Sequence, residues 1–240
     1  MKNTKPIVCV IIPAFNEADA IAHVIRDIPA LVEEIVVVNN GSTDNTFLTA
    51  TEAGVTVLTE NQRGYGYACL KGIAHLNQRA IPPDIVVFLD GDYSDHPQDL
   101  VHLIDPILNN NMDFVIGTRV SYLREPGSLT PQQIFGNWFA CWLMKLFYGA
   151  KFTDLGPFRA IRFSQLNSLN MTDKTYGWTV EMQLKSLRHK LNYTEVPVKY
   201  RKRIGVSKVS GTLKGTIFAG IKIVGWIIKY GMRKCYLKRL

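Results

Sequence analysis

Cysteine pairs, long uninterrupted apolar runs and, toward the C-terminus, acidic side chains are what this 240-residue chain has little of. Its four cysteines, Cys9, Cys69, Cys141 and Cys235, stand far apart with no CxxC pair. That spacing excludes a disulfide framework and a structural zinc knuckle and points to a reducing compartment. The histidines, His23, His75, His96, His102 and His189, fall in no metal-ligand spacing. From Lys199 to Leu240 there are 12 Lys or Arg and no Asp or Glu, whereas residues 1–198 carry 16 basic and 20 acidic side chains. A mildly acidic body with a basic tail does not have the uniformly basic surface of a nucleic-acid binder; it suits anionic lipid or phosphate. The most apolar stretch, Gly215 to Tyr230, is broken by Lys222 and Lys229 and is shorter than the roughly 20 residues of a membrane span. It reads either as an interfacial helix whose lysines reach headgroups or as an amphipathic helix packed on the domain. At the other end, Pro13 and Asn16-Glu17 stop the first apolar run too early for a secretory signal, so that run is expected to be a strand and the protein to begin in the cytoplasm.

With 47% hydrophobic residues the chain can fill one large core. Ile7 to Ile12, Glu34 to Val38, Val55 to Thr59, Ile85 to Leu89 and Phe114 to Gly117 are short β-branched runs without polar alternation, which implies strands buried on both faces. Ala18 to Ile28, Thr43 to Ala53, Tyr65 to Arg79 and Pro97 to Asn109 have helical spacing between them. This order predicts an α/β fold, a mainly parallel central sheet flanked by helices, with ligands at the carboxyl ends of the strands. Further on, Pro131 to Tyr148 and Trp178 to His189 read as helices, Phe158 to Phe163 as a strand, and Leu191 to Tyr200 as the segment closing the sheet. No repeat or linker divides the chain, so residues 1–210 form one domain and residues 211–240 a basic amphipathic C-terminal segment.

The unusual residues follow the apolar runs directly. Asp90-Gly91-Asp92 sets two carboxylates one small residue apart at the end of a buried run, which suits a hard divalent cation with positions left for a diphosphate. Pro13, Asn16 and Glu17 end the first run, and Asn39, Asn40 and Gly41 end the second. Their amides and carboxylate can read the polar edges of a nucleoside, while Gly41 lets the backbone approach closely. Asn40-Gly41 is also a tight-turn pair, and Ser42 or Thr43 an N-cap. Arg63-Gly64-Tyr65-Gly66 opens a helix, where backbone N–H groups can cradle a phosphate; a plain loop with a solvated arginine has the same residues.

Taken in order, PAFNE, VNNGSTDNT, RGYGYA and LDGDYSDHP resemble family 2 glycosyltransferases of the GT-A fold, most closely the polyprenyl-phosphate (dolichol-phosphate) hexose synthases. Gly117-Thr118-Arg119, Asp154 to Arg159, Glu195 to Val198 and Arg203 to Lys208 extend the likeness to about Gly211. It implies an inverting, metal-dependent transfer of hexose from UDP-glucose or GDP-mannose to a polyprenyl phosphate, at the cytoplasmic face of a membrane to which the protein is peripheral. By motif, Asp90 and Asp92 would hold Mg²⁺ or Mn²⁺, with Ser94 adding an oxygen, and Asp90, Asp92 and Arg119 would be the catalytic set. Pro13, Asn16, Glu17, Asn39, Asn40, Gly41, Arg63, Asp90 and Gly91 would bind the nucleotide sugar. Arg119, Arg203, Ser207 and Lys208 would hold the acceptor phosphate. If an alcohol acceptor needed a base, Asp154 or Glu181 would be the candidates, each equally readable as a structural carboxylate paired with Arg159 or capping a helix. Trp138, Trp142 and Trp178 read as core or interface aromatics, with Trp178, beside Glu181, also readable as lining the acceptor site. The alternatives are transfer to a soluble, glycerate-like phosphorylated acceptor and a non-catalytic nucleotide-sugar-binding membrane module; homo-oligomerisation is left open. A nucleotidyltransferase would place a Gly-rich loop with Arg and Lys where PAFNE stands.

Overall fold

A computed structural model describes residues 5–205 and 220–230. Ser207, Lys208, Cys235 and the junction placed at residues 210–211 lie outside the described residues. Seven strands form one sheet: β1 (Val8–Ala14), β2 (Glu34–Asn39), β3 (Thr56–Thr59), β4 (Ile85–Phe88), β5 (Phe114–Thr118), β6 (Arg159–Arg162) and β7 (Tyr193–Pro197). Their order is β3-β2-β1-β4-β6-β5-β7, parallel throughout except for β6, which runs antiparallel to both β4 and β5. The mainly parallel sheet expected from the sequence is therefore present.

Side chains alternate across the sheet, and both faces are apolar, as the unbroken Val/Ile runs require. Cys9, Ile11, Val36, Val38, Val86 and Phe88 face one core with α3 (Tyr65–Leu76), α5 (Pro131–Tyr148), α6 (Phe163–Ser168) and α7 (Trp178–Arg188). Val8, Val10, Ile12, Val37, Ile85 and Val87 face a second core with α1 (Ala18–Asp27), α2 (Thr46–Glu52) and α4 (Leu100–Asn109). Each such side chain, fully buried, contributes about 1.5–3 kcal/mol of transfer free energy, which is what fixes the three layers.

Several helices are shorter than their periodicity suggests. Neither Ser42 nor Thr43 caps α2: Ser42 Oγ accepts from Asn16 N, Thr43 N donates to Asn16 Oδ1, and Asp44 Oδ1 accepts from Thr46 N. These bonds hold the β2–α2 loop against the β1–α1 loop and delay the helix to Thr46. Pro97–Asp99 is a 3₁₀ turn leading into α4, and α3 ends at Leu76, with Arg79 drawn to Glu33 and Glu34. The α5 boundaries match the sequence because their chemistry is local: Thr130 and Gln133 form a reciprocal capping box, Pro131 takes the first turn, and Gly149 ends the helix at φ +66°.

Residues 220–230 are helical (α8) and pack on the domain: Ile227 is buried and Ile223, Val224, Trp226 and Tyr230 lie against the α5–α7 core. Lys222, a headgroup contact on the interfacial reading of this helix, pairs with Asp173 at 2.9 Å, and Trp226 Nε1 donates to the same carboxylate oxygen at 2.7 Å. Among the described residues no helix is long and apolar enough to cross a membrane.

Close backbone approach explains two glycines at the start of α3. A Cβ on Gly64 or Gly66 would fall 2.2 Å from the Lys174 carbonyl or 2.0 Å from the Asp173 carbonyl. Gly66→Ala is therefore expected to cost about 1–3 kcal/mol by forcing the backbone apart. Gly136→Ala, in open space inside α5, should be neutral or gain about 0.5–1 kcal/mol. Thermal denaturation of the two variants checks this pair.

Candidate active site

Parallel register brings three strand ends to one edge, with Ala14 opposite Asn39, Asn39 opposite Thr59, and Phe88 opposite Ile11. The loops after β1, β2 and β4 therefore converge, and a cavity of about 660 Å³ opens there. Pro13, Glu17, Asn40, Arg63, Asp90, Gly91, Asp92, Arg119, Trp178 and Arg203 all line it. Asn16, Asn39, Gly41 and Ser94 do not; Asn16, Asn39 and Ser94 instead hydrogen-bond within the loops that do. Asn39 Oδ1 accepts from Ser42 N, and Asn16 ties the first two loops together.

Asn40 has a role its position alone does not show. Its amide donates to the carbonyls of Glu60 and Gln62 and accepts from Gly64 N, so it clips the β2 loop to the start of α3. Gly64 N is thus engaged by Asn40 and Tyr67 N by the Lys174 carbonyl, which removes two donors from the phosphate cradle expected at this helix start. Arg63 remains on the cavity wall with its guanidinium 4.9 Å from the Phe15 ring centre.

The cavity floor is a cluster of acids and arginines. Asp92 Oδ1 accepts from Ser94 N at 2.9 Å and Ser94 Oγ at 2.6 Å, and Oδ2 pairs with Arg203 at 2.8 Å. Asp90 Oδ1 and both oxygens of Asp95 are buried and have no protein hydrogen-bond donor. Burial, and then the neighbouring Asp92, push the Asp90 carboxyl up to about 7; burial followed by Asp90 and Asp92 raises Asp95 well above the usual range. Orphaned oxygens on closely grouped acids are what a divalent cation would satisfy, so these residues fit one. Among the described residues no three His, Cys, Asp or Glu converge as a ligand set. The protein's share would then be the pair Asp90 and Asp92, with open positions for other oxygens.

Arg119 is held at the cavity edge by Asp154, which accepts from its backbone N at 2.7 Å, Nε at 3.0 Å and one terminal nitrogen at 2.5 Å. Burial opposes the ionisation of Asp154, but the Arg119 charge outweighs it and holds the carboxyl below its ordinary value. Asp154 therefore pairs with Arg119, not Arg159, whose guanidinium donates to the carbonyls of Leu155, Gly156 and Thr179. Glu181 is fully buried, paired with Lys185 at 2.8 Å and accepting from Thr172 N and Asp173 N. Neither candidate base lines the cavity, and both act as structural carboxylates.

Sequence reasoning gave no role to Asp95 or Tyr200 and did not bring α8 to the cavity. Asp95 had a signal, as the third acid of Asp90-Gly91-Asp92-Tyr93-Ser94-Asp95. Tyr200, under the Arg119 guanidinium at 5.3 Å, and the α8 residues Ile223 and Val224 reach the cavity from about 100 residues away in the chain or more and had none.

The sequence model described as Glycosyl transferase family 2 matches residues 9–169. Glycosyltransferase AglJ of Haloferax volcanii is 30% identical over 83% of this chain, which spans 65% of that protein's length. A dolichyl-phosphate hexose transferase of the same organism is 28% identical over 96% of this chain and 95% of its own. Among solved structures, glucosyl-3-phosphoglycerate synthase from Mycobacterium tuberculosis, in complex with Mn²⁺, UDP-glucose and phosphoglyceric acid, superposes with a TM-score of 0.76 at 22% identity, over 94% of this chain and 80% of its own. That likeness shows the GT-A fold.

Asp154→Ala leaves Arg119 as an uncompensated buried charge, and urea denaturation should show a loss of about 3–5 kcal/mol. Cation binding at the acid cluster must displace the proton that Asp90 carries below about 7. Mn²⁺ affinity, followed by titration calorimetry in the presence of a nucleoside diphosphate, should therefore fall as pH drops through 7 and level off above it. An affinity flat between pH 6 and pH 8 would refute the raised carboxyl.

Proposed function

The chain belongs to glycosyltransferase family 2, and from that premise we propose that it moves one hexose from UDP-glucose or GDP-mannose to a polyprenyl phosphate, with inversion, on the cytoplasmic side of a membrane to which it is peripheral. The observation that carries this reading is that a single cavity joins two unlike surfaces. Its floor holds Asp90, Asp92, Arg119 and Arg203, and its wall holds Leu129, Phe139, Leu155, Trp178, Ile223 and Val224. An acceptor with a phosphate head and an apolar body matches both.

In the transfer, an oxygen of the acceptor phosphate attacks the anomeric carbon as the bond from that carbon to the nucleoside diphosphate breaks. A phosphate is already ionised at neutral pH and needs positioning rather than a base, which agrees with Asp154 and Glu181 being engaged elsewhere. Mg²⁺ or Mn²⁺, held by Asp90 and Asp92, would supply charge neutralisation to the departing diphosphate. Pro13, Glu17, Asn40 and Arg63 flank the space for the nucleotide. Arg203 and Arg119 supply the cationic groups for the acceptor, with Asp154 fixing the Arg119 fork. Ser207 and Lys208 belong to the same assignment through their motif.

Transfer to a soluble phosphorylated acceptor would use the same arginines, and glucosyl-3-phosphoglycerate synthase shares the fold. The apolar wall, which a glycerate would leave unused, favours the lipid. Purified protein assayed with each donor, Mg²⁺ or Mn²⁺, and either a polyprenyl phosphate or 3-phosphoglycerate should form the lipid-linked sugar. Product from phosphoglycerate alone would overturn the lipid assignment. Asp92→Asn should retain the fold and lower kcat by about 10²–10³-fold; near-normal turnover would remove Asp92 from the metal pair.

A further inference from the structure

The side of α5 away from the cavity carries Ile134, Phe135, Trp138, Trp142 and Leu146, each between 42% and 62% exposed. At about 100° per residue these five and Lys145 fall within roughly 120° of the helix circumference. A soluble domain rarely leaves so many large apolar side chains contiguous without something covering them. The rings are also in contact: Phe135 lies 5.8 Å from Trp138 and 6.0 Å from Phe139, and Phe139 lies 6.0 Å from Trp142. Since Phe139 lines the cavity, the outer patch and the apolar cavity wall form one continuous surface.

Charge identifies what covers this surface. The 18 residues of α5 contain no acid and one base, Lys145, with Lys151 just beyond the helix. Tyr148 donates its hydroxyl to the Ile227 carbonyl at 2.5 Å, so α8 docks against the C-terminal end of α5. That helix belongs to the stretch from Lys199 onward, which has 12 basic residues and no acidic one. Tryptophans on an apolar helix face that carries Lys145 and no carboxylate of its own, with Lys151 just beyond its end, are complementary to an anionic lipid interface. Asp154 and Glu195, the acids that act on α5 at Cys141, are occupied by Arg119 and by Thr153.

We propose that the outer face of α5 docks on an anionic lipid surface and so sets the cavity, one wall of which is α5, alongside the headgroups. This deepens the acceptor reading and rests on it only for what enters the cavity there; docking itself needs neither donor nor acceptor.

The test is binding of the full chain to phosphatidylcholine vesicles with and without phosphatidylglycerol, by co-sedimentation and by quenching of tryptophan emission with brominated acyl chains. The native protein should bind the anionic vesicles and be quenched. The variant Phe135→Ser/Trp138→Ser/Trp142→Ser should lose about tenfold or more in vesicle affinity, with its far-UV spectrum and nucleotide-sugar binding unchanged. A folded variant that binds vesicles like the native chain would overturn the proposal. So would a native chain that ignores vesicles and forms a dimer which the variant dissolves, because a second copy would then cover the face. Should the variant not fold, native protein that binds anionic vesicles without quenching would equally refute it. Vesicle binding through α5 without transfer to polyprenyl phosphate would leave the docking intact and remove the lipid-acceptor function.

Discussion

Asp90, Asp92 and Asp95 are crowded at the carboxyl edge of the sheet, and this concentration of negative charge is what the surrounding structure is arranged to hold. Burial, followed by the acidic neighbours of each, makes Asp90 and Asp95 hold their protons more tightly than exposed acids do. Arg203 compensates Asp92 directly at 2.8 Å. Arg119 adds its charge nearby but is itself kept ionised and in place by Asp154. Removing any of these groups would leave another buried without its counter-charge, so the acids and arginines behave as one unit.

The scaffold around that unit is braced by polar clips rather than by regular secondary structure. Asn40 joins the β2 loop to the start of α3, Asn16 joins the β1 and β2 loops, and Asp173 accepts from Lys222 and Trp226 of α8 and from Thr175 N and Gly177 N. Asp173 thereby fixes both the loop beside Gly64 and the helix that completes the apolar wall. The glycines at 64 and 66 exist for this contact, since any side chain there would push the loop away.

Polarity across the cavity follows from the same construction. Short loops after parallel strands can carry charged side chains because the strand ends abut solvent, whereas the opposite wall is made from helices that also serve the core. The α5 helix does both: Leu143 and Met144 pack inward, Phe139 and Ala140 border the cavity, and Trp138 and Trp142 face outward. A weakly amphipathic helix with aromatic residues on every side is the direct consequence.

The Val/Ile runs, the helical spacing between them and the motifs at their ends were sufficient for the α/β class, the mainly parallel sheet, the family and the placing of Asp90-Gly91-Asp92 at the cavity, because each rests on residues close in sequence. The α5 limits were legible for the same reason, through Thr130, Pro131, Gln133 and Gly149. Tertiary structure alone decided how side chains were used. Asn40, read as a nucleoside contact, lines the cavity and also clips the β2 loop to the start of α3; Asp154, readable as a base or as a structural carboxylate, is the partner of Arg119; and Lys222, on a helix readable as interfacial or as packed on the domain, pairs with Asp173. Those outcomes depend on which polar or charged group lies within hydrogen-bond reach across 24, 35 and 49 residues of chain. Local pattern carries no such information, since desolvation and pairing are set by three-dimensional neighbours.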